Sequence, residues 1–78
     1  MPTFHFHVRD GDALFEDPDG SELPDLETAR AEALAAAREA FAELIRTGKA
    51  AYGRSFEIAD GAGQVLATVR LRDVVRLH

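Results

Sequence analysis

Apolar and polar positions alternate from Thr3 to Arg9, with Phe4, Phe6 and Val8 on one side and Thr3, His5, His7 and Arg9 on the other. A period of two marks a half-buried strand, because successive side chains leave a pleated backbone on opposite faces. The alternation returns from Arg54 to Asp60, with Phe56 and Ile58 inward and Ser55, Glu57 and Ala59 outward. From Gln64 to Leu71 it places Val65, Ala67, Val69 and Leu71 inward and Leu66, Thr68 and Arg70 outward. A short strand from Ala13 to Asp17 is expected to contribute Leu14 or Phe15 to the core.

Between Asp25 and Gly48 the period lengthens to 3.6. Leu26, Ala29, Ala33, Leu34, Ala37, Ala40, Phe41, Leu44 and Ile45 share one broad stripe, with Glu32, Glu39, Glu43 and Arg46 opposite. Eight alanines and no glycine, proline or valine give this segment high helix propensity. Asp25 is the expected N-cap, Pro24 bars upstream continuation, and Gly48 suits the C′ position. The N-terminal half of the stripe is mostly alanine, so the helix can approach its partner closely there. Arg30 falls inside the stripe, where a long side chain can snorkel to the sheet edge or pair with a carboxylate on the covered face. Such a helix runs about 33 Å, against about 20–23 Å for a strand of six or seven residues. It should overhang its own sheet, which favours a second chain.

Asp10-Gly11-Asp12 and Asp60-Gly61-Ala62-Gly63 read as hairpin turns, and Asp17-Pro18-Asp19-Gly20 as a type I turn. Ser21 to Pro24 reads as a lead into the helix, Lys49 to Gly53 as a loop with Tyr52 over the helix end, and the last seven residues as a short helical turn or a strand extension, with the turn favoured. The result is one α+β domain over residues 1–78 with the order β-β-α-β-β: a four-stranded, mainly antiparallel sheet covered on one face by a single long helix. The other face presents His5, His7, Arg9, Glu57, Leu66, Thr68 and Arg70, beside Thr3 and Ser55, as a candidate interaction face.

Charge sharpens this picture. The net value of −5 opposes general affinity for nucleic acid. Its distribution is uneven: −7 over residues 1–27, zero over 28–48 and +2 over 49–78. Absence of cysteine removes disulfides, thiolate metal sites and cysteine nucleophiles. A chain of this size has a marginal core, which again favours self-association. The first residues lack a basic-then-apolar leader and no stretch has membrane-spanning length, so residence in the cytoplasm is expected.

Candidate chemistry is sparse. His5 and His7 point the same way and can share a metal ion, but nothing in the sequence fixes a third ligand. The acids Asp10, Asp12, Asp17, Asp19 and Glu22 fail the EF-hand register, because Gly20 follows Asp19 directly and position 26 is leucine. No phosphate-cradling glycine motif or strained serine elbow occurs, so no enzyme activity and no cofactor are expected. Arg70, Arg72 and Arg76, with Arg9 and the two histidines, make a basic strip without an outward aromatic platform for bases. The expected partner is a second copy, giving a homodimer through the open sheet face or the helix overhang, or another protein.

Three blocks carry a resemblance: F-H-V-R-D-G-D at 6–12, E-L-P-D-L-E-T-A-R-A-E-A at 22–33 and F-E-I-A-D-G-A-G-Q-V-L-A-T-V at 56–69. Together they resemble the domain-of-unknown-function family 6894, short alphaproteobacterial proteins, over nearly the whole chain. That resemblance implies a small stand-alone cytoplasmic domain and carries over no catalytic residue. D-G-S-E-L-P-D-L-E-T-A before an alanine-rich helix is also similar to the N-terminal domain of HicB-type antitoxins. This second likeness implies a regulatory module that binds a toxin or nucleic acid. The chain departs from it in having two expected strands, not three, before the helix, and no attached DNA-binding segment.

Overall fold

A computed structural model describes residues 1–47 and 53–75. Outside the described residues lie the expectations for Gly48 as C′, for Tyr52 over the helix end, for Arg76 in the basic strip and for the side chains of Leu44 and Ile45 in the stripe.

The order is β1 (Thr3–Asp10), β2 (Ala13–Phe15), β3 (Ser21–Glu22), α1 (Leu26–Thr47), β4 (Arg54–Ala59), β5 (Val65–Arg70) and a 3₁₀ turn (Leu71–Val75). The α+β class and the single roofing helix stand as expected. The strand count does not: Ser21 and Glu22 pair with Phe4 and Thr3, adding a fifth, two-residue strand. All pairings are antiparallel, in the order β2-β1-β4-β5, and β3 shares with β2 the outer edge of β1.

The helix forms where its signals lie. Asp25 Oδ1 accepts the Thr28 N–H at 2.8 Å, satisfying a donor the first turn leaves free. The Thr28 side chain and backbone donors hold the Asp25 carboxyl below the usual carboxylate range. Ala29, Ala33 and Ala37 are fully buried along one seam, so the alanine face does bring the helix down onto the sheet. Phe4, Ile58, Ala29 and Ala33 make the inner core, flanked by Phe6, Leu26, Phe56 and Val69.

A second cluster joins Ala37 to Leu71, with Phe41 and Val74 packed against it. The 3₁₀ turn thus passes beneath the C-terminal half of α1, and part of the expected overhang is covered by the chain itself. Leu71 is buried as expected, but in this turn rather than in β5.

Two core assignments need correction. Neither Leu14 nor Phe15 joins the core; Phe15 is 61% exposed. The helix packs on β1, β4, β5 and the 3₁₀ turn but does not reach β2 at the sheet edge. Val65 is 47% exposed instead of inward. A register shift between Ile58 and Ala59 pairs Ala59 with Val65 and leaves Leu66 as the extra residue. A bulge of this kind turns the strand, so the preceding residue changes face. The hairpin below it has Gly63 at φ 87° and the Asp60 carboxylate accepting from Ala62 and Gln64, both at 2.9 Å.

Candidate functional site

Register arranges the open face in rows. His5, Ala59 and Val65 form one row, His7, Glu57 and Thr68 the next, and Arg9, Ser55 and Arg70 the third. Ala59 points outward as expected yet is fully buried, since a methyl group is overtopped by the larger His5 and Val65 beside it. Arg9 Nε reaches diagonally to Glu57 Oε2 at 2.6 Å, and the Glu57 side chain is only 15% exposed. The His5 and His7 rings stack with centroids 6.0 Å apart and planes 21° from parallel.

Asp17 organises this face, and nothing in the strand pattern pointed to it. Its Oδ2 accepts the Phe6 N–H at 3.1 Å, in the gap between β2 and β3 where the outer edge of β1 has no neighbouring strand. Its Oδ1 accepts from Asp19 at 3.3 Å and Gly20 at 3.2 Å. The Asp17-Pro18-Asp19-Gly20 turn is therefore closed by the aspartate side chain rather than by its carbonyl. That carbonyl accepts from His5 Nδ1 at 2.8 Å, while the Asp17 N–H donates to His7 Nδ1 at 3.0 Å. Burial alone would raise the Asp17 pKa, but the Phe6, Gly20 and Asp19 donors and the nearby His5 outweigh it and hold the carboxyl below its ordinary value.

These bonds define the histidines. A carbonyl only accepts, so His5 Nδ1 carries a proton; a backbone N–H only donates, so His7 Nδ1 does not. With Nδ1 of both rings committed, a shared metal would have to use Nε2, which on neutral His7 bears the proton. No group of three or more His, Cys, Asp or Glu with metal-binding geometry occurs among the described residues.

A groove of about 440 Å³ runs along this face. Of the proposed face residues it brings together His5, His7, Arg9 and Glu57. It adds Leu14, Glu16, Asp17, Asp60 and Val65, which the sequence reading missed. Leu14 was within reach: a two-residue turn after Asp10 sets Arg9 opposite Leu14, and paired residues share a face. Thr68 and Arg70 line a different groove at the outer edge of β5 beside α1, and Leu66 lines neither. Of the basic strip, Arg9 is held by Glu57, Arg70 pairs with Asp73 at 2.8 Å, and Arg72 is exposed. Arg30 is exposed at the edge groove, as snorkelling requires.

No described helix is long and apolar enough to cross a membrane. Comparison with curated proteins and with solved structures returns no match. Residues 3–72 match a family described as domain of unknown function DUF6894, and the chain belongs to that family.

Proposed function

We propose that the protein is a non-catalytic binding module that associates with a second copy of itself through the open face of its sheet. The observation that carries this reading is the state of His5 and His7. The two most versatile side chains of the groove are fixed to the Asp17 backbone and serve as wall. Around them lie both signs of charge, Arg9 paired with Glu57 and flanked by Glu16, Asp17 and Asp60, bordered by exposed Leu14 and Val65. A face with both signs and apolar borders can complement itself across a two-fold axis. Among the described residues Ile58 and Leu71 are the largest fully buried side chains, and covering this face adds to the stability of so small a domain. Light scattering on the eluting protein should give twice the chain mass of 8.5 kDa, and Val65→Glu should return it to a monomer. A wild-type monomer at high micromolar concentration contradicts the reading.

A second reading is an antitoxin-like regulatory module that binds a toxin or nucleic acid. One observation favours it: β3 brings the strand count before the helix to three, removing a departure from the HicB-type arrangement. RNA binding lost in Arg70→Ala with Arg72→Ala would support it. Absence of both RNA binding and a neighbouring toxin-like reading frame would remove it.

A further inference from the structure

The second groove, about 270 Å³, lies between α1 and the outer edge of β5. It is lined by Arg30, Ala31 and Leu34 from the helix, by Thr68, Val69 and Arg70 from the strand, and by Asp73, which pairs with Arg70, and Val74 from the 3₁₀ turn. Side chains alternate along a strand, so a groove touching three consecutive residues runs along the strand's edge rather than across one face.

The hydrogen bonds tell which backbone groups meet that edge. Phe6 donates its N–H away from β4, to Asp17, so Phe6 and Ile58 are a non-hydrogen-bonded pair of the antiparallel ladder. Ile58 must then direct its N–H and C=O towards β5, making Ile58 and Ala67 a bonded pair, and Phe56 and Val69 another. Two further bonds agree with this parity: Asp60 N–H donates to the Gln64 carbonyl at 3.0 Å, and the Pro2 carbonyl accepts from Leu23 at 3.1 Å. Thr68 therefore directs its N–H and C=O outward, and Arg70 its N–H, while the Arg70 carbonyl accepts the first i→i+3 bond of the 3₁₀ turn. No strand pairs with this edge among the described residues.

We propose that this edge receives an extended, acidic peptide segment as an added antiparallel strand, through the N–H and C=O of Thr68 and the N–H of Arg70. Leu34, Val69 and Val74 supply an apolar floor for alternate side chains, which is how strand addition gains specificity. Arg30, exposed and without an ion pair among the described residues, supplies the counter-charge for a carboxylate. Arg70 is tied to Asp73 and offers its backbone N–H. A second copy fits poorly here, because a two-fold contact brings the same Arg30 to both sides of one edge.

The test is an array of randomised, terminally blocked octapeptides probed with the full chain and its variants. Retained peptides should combine β-branched residues with at least one Asp or Glu. Their binding should weaken about fivefold in Arg30→Gln, the upper range for an exposed ion pair. It should vanish in Thr68→Pro, which deletes an outward N–H that the sheet does not use. If Thr68→Pro loses its helical circular dichroism, amide shifts of the wild type decide: the largest changes at Thr68 and Arg70 support the proposal, and changes elsewhere overturn it. No retained peptide, a preference for basic peptides, or indifference to both substitutions overturns it as well. Peptide retention by the Val65→Glu monomer separates this proposal from self-association through the open face. A dimer dissociated by Thr68→Pro would instead place a second copy at this edge and refute the peptide assignment.

Discussion

Asp17 Oδ2 accepts the Phe6 N–H at 3.1 Å, standing where the carbonyl of a neighbouring strand would otherwise be. One side chain thus bridges the gap between β2 and β3, and its other oxygen closes the turn that creates the gap. Asparagine offers a single acceptor oxygen and cannot serve both sides. Asp17→Asn should lower stability by about 1–2 kcal/mol in urea unfolding at pH 7.

The same carboxylate predicts a pH dependence. Its pKa is depressed in the folded chain, so the stabilisation is fully present above the ordinary aspartate value of about 3.9 and is lost as pH falls through the lowered folded value. The stability gap between wild type and Asp17→Asn should therefore be constant from pH 5 to 7 and shrink below about pH 4. A gap that widens on acidification would contradict the assignment.

Gly20 is required twice over. Its φ is 72°, and a Cβ there would meet Thr3 Cγ2 at 2.7 Å and His5 Cε1 at 2.9 Å. Gly20→Ala should cost about 1–2 kcal/mol from backbone strain alone, and should shift the His5 ring resonances. Gly61→Ala, where φ is not positive and no atom lies within 4 Å of the added carbon, should be nearly neutral.

The two histidines should sit in opposite tautomers when neutral. Long-range proton–nitrogen correlation at neutral pH should find the proton on Nδ1 of His5 and on Nε2 of His7. Matching tautomers would show that Asp17 does not hold both rings.

The alanine seam should tolerate no enlargement. Ala33→Leu forces α1 away from Phe4 and Ile58 and should cost about 1–3 kcal/mol. Ala35→Leu, on the exposed side, should leave the thermal midpoint nearly unchanged.

The helix was legible because its signals are local: an aspartate cap, an alanine-rich interior and a 3.6 period. The strands of Phe4 to Val8 and of Phe56 to Ile58 were legible for the same reason. What escaped depends on register between distant segments. Val65 obeys the alternation in sequence, but the bulge at Leu66 turns it onto the other face. Phe15 has an apolar side chain on a strand that the helix does not reach. Asp17 looks like ordinary turn chemistry until β1 is placed beside it, and only then do His5, His7 and Phe6 become its partners. Four of the seven face residues still converge on one groove, because His5, His7, Arg9 and Glu57 sit on the two central strands, where pairing is regular.

Isotope-filtered nuclear Overhauser spectroscopy on a mixture of labelled and unlabelled chains tests most directly whether a second copy covers the open face. The expected result is intermolecular contacts linking the Leu14 and Val65 methyl groups of one copy to the His7 ring or the Arg9 side chain of the other. Absence of intermolecular contacts at millimolar concentration, or contacts confined to α1 and the 3₁₀ turn, would contradict it.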